Sequence, residues 1–319
     1  MRALVSFILQ SRLRAMLVTL MAASMSLIFP PLGHVSGAAV GLVTLRNGWR
    51  EGLIVVAGAV AVLFLLGLFS AMGRALILSF VMTLVMIAWL PVIICATVLR
   101  RQRSLGRALA TAGGITALGL AGFYLAVDNV PAWWHQVLTI LVRPRLEMAH
   151  TGLSPADIDV LLNNMAPVMT GLLAATIVYS IMINLFLARW WQAILFNPGG
   201  FRQEFLFMRL DWRVAMAALF VIAVAWLSSG GLEYFARDLL VLIATVCSFQ
   251  GLALIHAVVA ALGLHKGWLL GLYALLVVAL PQVGMVLSAL GLTDSMLDFR
   301  RRFRLTEKLQ QQAGGHDQN

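Results

Sequence analysis

Five polar side chains stand inside stretches otherwise built of Leu, Val, Ile, Ala and Gly: His34, Asn184, Gln250, His256 and Gln282. A polar group held in lipid is costly without a partner, so each is expected to face protein or a water-filled cavity. Amide and imidazole groups so placed can bind a small solute through hydrogen bonds. A histidine can also carry a proton near neutral pH. His256 therefore reads either as such a group or as a hydrogen-bonded structural histidine. Gln250 and His256 are six residues apart and do not share one face of an ideal helix, so they need not belong to one site.

Catalytic signatures are missing. There is no Walker loop, GxGxxG, GxSxG or HExxH. The acidic residues read as loop and segment-end residues, and of the ionisable side chains only His256 reads as deep in an apolar run. This lowers the prospects of an intramembrane protease or proton pump. Cys95 and Cys247 both lie in apolar runs and read as buried structural thiols, with no disulfide framework or zinc site. The expectation is a non-enzymatic chain with no cofactor, no metal and no nucleic-acid partner.

The elements that would carry these residues follow from composition. Of 319 residues, 61% are hydrophobic and 11% charged, against about 45–50% and 25% in a soluble domain. A soluble enzyme, a disordered chain and a nucleic-acid-binding domain are excluded as defaults. An all-α integral membrane protein remains, because a spanning helix needs about 20 mostly apolar residues. Nine candidate segments are predicted, at 13–30, 32–46, 52–71, 75–99, 108–127, 165–188, 214–230, 239–264 and 268–291. The expected architecture is a polytopic bundle of 8–9 transmembrane helices with the lipid bilayer as its surroundings. The basic N-terminus reads as leading into a retained first helix rather than a cleaved signal peptide.

The net charge of +10 has an ordinary cause in loop arginines. Arg2, Arg12, Arg14, Arg46, Arg50, Arg100, Arg101, Arg103, Arg107, Arg189, Arg202, Arg209 and Arg213 fall on one side. Arg74, Arg143, Arg145 and Arg237 fall on the other. Basic loops stay in the cytoplasm, so the N-terminus is expected there. Nine crossings would put the tail outside, yet Arg300, Arg301, Arg302, Arg304 and Lys308 belong inside. Pro281 and Gly284 interrupt the last segment, and a broken or re-entrant piece there, with eight full crossings, resolves the conflict.

Four regions are expected. Residues 1–127 form an N-terminal bundle of about five helices. Residues 128–164 form an external interfacial connection, with an amphipathic helix at Pro131–Trp134 and beyond and a second helix capped by Ser154 and Asp157. It reads either as a cap on an external opening or as a passive clamp. Residues 165–292 carry the remaining helices and the cytoplasmic loop 189–213, and 293–319 form a basic polar tail. In that tail Asp294 and Asp298 read as sharing a helix face, with Asp298 pairing with Arg301 or Arg302.

Two motifs concern packing and contact. Gly33, Gly37 and Gly41 recur every four residues, so one helix face admits close approach of another backbone. That backbone belongs either to this chain or to a second copy. In the central loop, Arg189 should leave the membrane with Trp190 and Trp191 at head-group level, followed by a turn at Asn197-Pro198-Gly199-Gly200 and a surface helix that includes Arg202. This element reads either as a partner-docking surface or as an anchor to anionic lipid.

On the stretches NLFLARWWQ, NPGGFR, SFQGLALIH (248–256) and GLTDSMLDFRRR, and on the early LVTLRNGWREG, the chain resembles the YybS-like family of bacterial membrane proteins, a domain of unknown function. That family is thought to be related to the substrate-binding components of energy-coupling-factor transporters and, more distantly, to the cell-shape protein MreD. The resemblance implies a compact six-helix bundle with a small-solute pocket, docking on a membrane partner through an AxxxA face that falls here on Ala15, Thr19 and Ala23. The first expectation is therefore a transporter-like inner-membrane protein that binds or moves a small solute, lined by the five polar residues. The alternative is a membrane scaffold of an envelope assembly, with membrane-protein partners or a homo-oligomer.

Overall fold

A computed structural model describes residues 1–68, 74–149, 152 and 154–302. Among these residues every regular element is helical. An amphipathic α1 (Arg2–Gln10) leads into α2 (Arg12–Met25) and α3 (Leu32–Asn47). Then follow α4 (Trp49–Leu68), α5 (Arg74–Thr83), α6 (Leu90–Gln102) and α7 (Leu105–Ala126). Three short helices, α8 (Val130–Leu141), α9 (Arg143–Met148) and α10 (Pro155–Met165), precede the long α11 (Met169–Phe196). The second half holds α12 (Gly200–Leu206), α13 (Trp212–Leu227), α14 (Gly231–Ala261), α15 (Gly267–Val278), α16 (Leu280–Leu297) and α17 (Phe299–Arg302).

Five stretches are long and apolar enough to cross a membrane: Trp49–Leu66, Ala75–Gln102, Leu105–Ala126, Pro155–Phe196 and Gly231–Ala261. Trp212–Leu227 and Gly267–Val278 are apolar but shorter. The core is made where α3, α6, α7, α11 and α14 meet, around Trp89, Leu109, Ile181 and Leu185. Cys95 and Cys247 are free and buried.

Between α5 and α6 the chain is π-helical over Leu84–Trp89. Pro91 explains this. It lacks an N–H, and its ring crowds the carbonyl four residues back, at Ile87, so the ladder widens before it.

One end of the bundle gathers the basic residues. Arg12 pairs with Glu51 at 2.5 Å, Arg46 stacks on Phe196 at 4.1 Å, and Arg100 donates to the Thr44 carbonyl at 3.4 Å. The opposite end holds α8, α9 and α10. There Ser154 and Asp157 form a reciprocal capping box.

The predicted segment 268–291 is not one helix. It breaks at Ala279, ahead of Pro281, into α15 and α16. Ser288 bonds the Ala244 carbonyl at 2.6 Å, Gly291 lies on the Cys247 carbonyl, and Gln250 meets Asp294 at 2.7 Å. Partner numbers advance together, so α16 runs parallel to α14, and α15 is the return stroke. A Cβ on Gly251 would overlap the Leu287 carbonyl, and one on Gly291 the Cys247 carbonyl. These two glycines meet the partner helix's backbone, whereas Gly37 and Gly41 first meet the side chains of Asn184, Ala188 and Val92. Residues 298–302 consequently sit beside 206–211 at the basic end; Arg304 and Lys308 lie outside the described residues.

Candidate functional site

Two of the five polar residues are brought together. His34 Nδ1 and Asn184 Oδ1 are 2.8 Å apart, across 150 positions of sequence. Asn184 is fully buried and its amide nitrogen has no hydrogen-bond partner. Gly37 makes the room for it, since a Cβ there would overlap the amide. Below, Trp89 donates to Ser36 at 3.1 Å and Ser36 donates to the Thr19 carbonyl at 2.9 Å. This centre is polar but filled.

The other three lie apart from it and from each other. Gln250 is fully buried at the basic end, where its carbonyl oxygen accepts from the Leu210 N–H (2.9 Å) and Ser295 (3.1 Å) and its amide donates to Asp294. Asp294 also faces Arg300 at 3.6 Å. Burial lowers the Arg300 pKa, opposed by Asp294. His256 lies between the Leu252 carbonyl (2.9 Å) and Tyr273 (3.1 Å), a satisfied structural pair. Gln282, expected to face inward, is instead exposed, because the break at Ala279 starts a new helix and turns it outward in the first turn of α16.

Several contact residues also depart from expectation. Gly41 meets Ala188 and Val92 closely, whereas Gly33 meets only Ser26 at ordinary contact distance. Trp190 is half-exposed, but Trp191 is core, 1% exposed, because α11 continues straight through the predicted membrane edge to Phe196. Arg189 is held by Glu204 and by Gln192 (3.1 Å) and is not free for lipid. Arg202 is exposed. Asp298 terminates α16 with a left-handed backbone and pairs with Arg209 at 2.6 Å; its other carboxylate oxygen accepts from the Arg301 backbone N–H at 3.2 Å, and no side-chain ion pair joins it to Arg301 or Arg302 among the described residues. Ala15, Thr19 and Ala23 are all buried, in a helix packed on α3 and α4 of the same chain, so the AxxxA face is already covered.

The open space lies elsewhere. A cleft of about 350 Å³ opens on the flank of the bundle, in the half that holds α8. Its back is Met86, Ile87 and Pro91 at the π-helical stretch, and its floor is Thr116, Gly119 and Leu120 of α7. Leu173, Ala174 and Ile177 of α11 form the facing wall, and Trp133 and Trp134 of α8 overhang it. The widened helix before Pro91 and the missing side chain at Gly119 create the room, for a Cβ on Gly119 would touch nothing within 4 Å. π-Helical insertions are frequent at functional sites.

The cleft wall is fixed from behind. Trp134 donates its indole N–H to Thr170 at 2.7 Å, and Trp133 packs edge-on against Phe123 at 5.2 Å. The next residue along α11, Gly171, donates its N–H to Asp238 at 3.0 Å, and Tyr124 donates to the other Asp238 oxygen at 2.6 Å. Asp238 is 2% exposed and so pins α7, α11 and α14 together. From sequence the acidic residues read as lying outside the apolar segments, this one starting at 239. The helix begins at Gly231, which carries Asp238 inside. The signal was Glu233-x-x-x-Arg237, an i,i+4 pair that extends the helix by two turns.

Chemically, the cleft offers apolar walls, an aromatic overhang and two threonine hydroxyls already engaged with the Ala112 carbonyl and with Trp134. No charged side chain lines it. Such a lining suits a hydrocarbon chain or an apolar ring with a small polar end. The chain matches no protein-family model, no curated protein and no solved structure.

Proposed function

We propose that the chain is a non-enzymatic protein of the bacterial inner membrane that binds a small apolar or amphipathic molecule taken laterally from the bilayer. One observation carries this reading. The flank cleft bounded by Pro91, Gly119 and Trp134 offers an apolar-lined space with no charged side chain, and none of the five expected polar residues lines it. In this topology the N-terminus is cytoplasmic and α2, α3, α4, α5–α6, α7, α11, α13 and α14 make eight crossings. The 12-residue α15 is shorter than each of these eight segments, α2 being the next at 14 residues. With α16 it forms a hairpin that returns the tail to the cytoplasm. A transporter-like role, as the YybS-like resemblance implies, uses the cleft as the ligand site.

The test is unbiased identification of small molecules that copurify with the full chain in mild detergent, beside Gly119→Leu. Leucine fills the cleft without meeting a neighbour at its Cβ. The expected result is an apolar molecule on the native protein, reduced about tenfold or more on the variant. Equal recovery from both would overturn the reading. The scaffold alternative draws on the filled centre at His34, Gly37 and Asn184; a copurifying membrane protein with no small molecule favours it.

A further inference from the structure

At the basic end a second cleft, again of about 350 Å³, lies between the C-terminal ends of α3, α6 and α11. Arg100, Arg103 and Arg189 all line it, with Glu204 the one acidic residue among its walls. Arg189 and Glu204 satisfy each other through two bonds, so that pair contributes no net charge. Arg100 spends one nitrogen on a long 3.4 Å bond to the Thr44 carbonyl, and no acidic side chain pairs with it or with Arg103 among the described residues. Two guanidiniums from one helix end therefore face a concave space with uncompensated charge. Arg46, stacked on the lining residue Phe196, adds a third at the rim.

Arg103 gives the cleft a feature that ordinary loop arginines lack. It closes α6 with φ +48°, ψ +36°, a left-handed conformation that suits Gly or Asn and disfavours a long side chain. A strained helix-end residue that also lines a pocket marks a candidate ligand site. Gln192 and Asn197 add amide groups beside it. Guanidinium forks match phosphate oxygens in geometry and charge.

We propose that this cleft binds a phosphate group. The chemistry is shared by two sources: the head group of an anionic phospholipid of the inner leaflet, and a soluble phosphate. The experiment separates them with the full chain in detergent. In one arm, native mass spectrometry counts retained phosphatidylglycerol against phosphatidylcholine. In the other, inorganic phosphate is titrated against chloride at equal ionic strength, with melting temperature as readout. The double variant Arg100→Gln/Arg103→Gln is compared with Arg101→Gln/Arg202→Gln, which removes the same charge from exposed positions outside the cleft.

A lipid source predicts retained phosphatidylglycerol that falls at least tenfold in the cleft variant and little in the control. A soluble source predicts a phosphate-dependent rise in melting temperature that only the cleft variant loses. Loss of a charge-assisted bond supports an effect of that size. Arg103→Gly guards against misfolding, since it relieves the left-handed strain. It should melt no lower than the native chain, yet bind the responding probe about tenfold more weakly. Equal losses in the cleft and control variants, or no preferential binding of either probe by the native chain, would overturn the proposal.

Discussion

The flank cleft and the α14–α16 junction both bury polar groups among apolar helices, and they do opposite things with them. At the junction Gly251 and Gly291 bring two backbones into contact, and Gln250, Asp294, Ser295 and Arg300 fill the remaining space with bonds to one another and to the 206–210 backbone. At the cleft the polar groups stand behind the wall. Asp238, Tyr124 and the Gly171 N–H hold three helices at fixed separation while the lining stays apolar and open. In these two regions buried polar groups tie helices together, and the open cleft lies beside ties that leave its lining apolar.

That contrast can be broken at graded strength. The largest effect is expected from Gly291→Leu, whose side chain has no room against the Cys247 carbonyl; α16 should detach, with loss of the folded species on size-exclusion chromatography. Asp294→Ala removes the carboxylate that pairs with the buried Arg300, and a loss of about 3–5 kcal/mol is expected in denaturant or thermal unfolding. Asp238→Asn keeps the shape but weakens two charge-assisted bonds, at about 1–3 kcal/mol. It should also loosen the cleft wall, read as faster hydrogen exchange around Gly171. Gln282→Ala, exposed at the start of α16, should change stability by less than about 0.5 kcal/mol. A Gln282→Ala loss comparable with that of Asp294→Ala would contradict the assignment of polar ties.

Much of this fold is legible in sequence because hydropathy and proline have direct physical readings. The apolar runs give the helices, and Ser154 and Asp157 give a capped start. The break near Pro281 divides the last apolar run into α15 and α16. The site was less legible. His34 and Asn184 are recognisable as intramembrane polar residues, but whether they enclose space depends on Gly37, which lets the amide fill it. Trp191 reads as interfacial only if α11 ends at Arg189, and the helix runs seven residues further. The cleft depends on a π-helical widening and on a glycine facing nothing, neither of which changes local hydropathy.

The most direct test of the ligand-binding claim is photo-crosslinking in lipid vesicles with a fatty-acyl probe carrying a diazirine near its chain end. Labelling should concentrate on peptides containing Met86–Pro91, Ile115–Phe123 and Trp133–Trp134, and Gly119→Leu should abolish that concentration. Labelling spread evenly over the exposed apolar faces, such as Phe220 and Val277, and indifferent to Gly119→Leu, would contradict it.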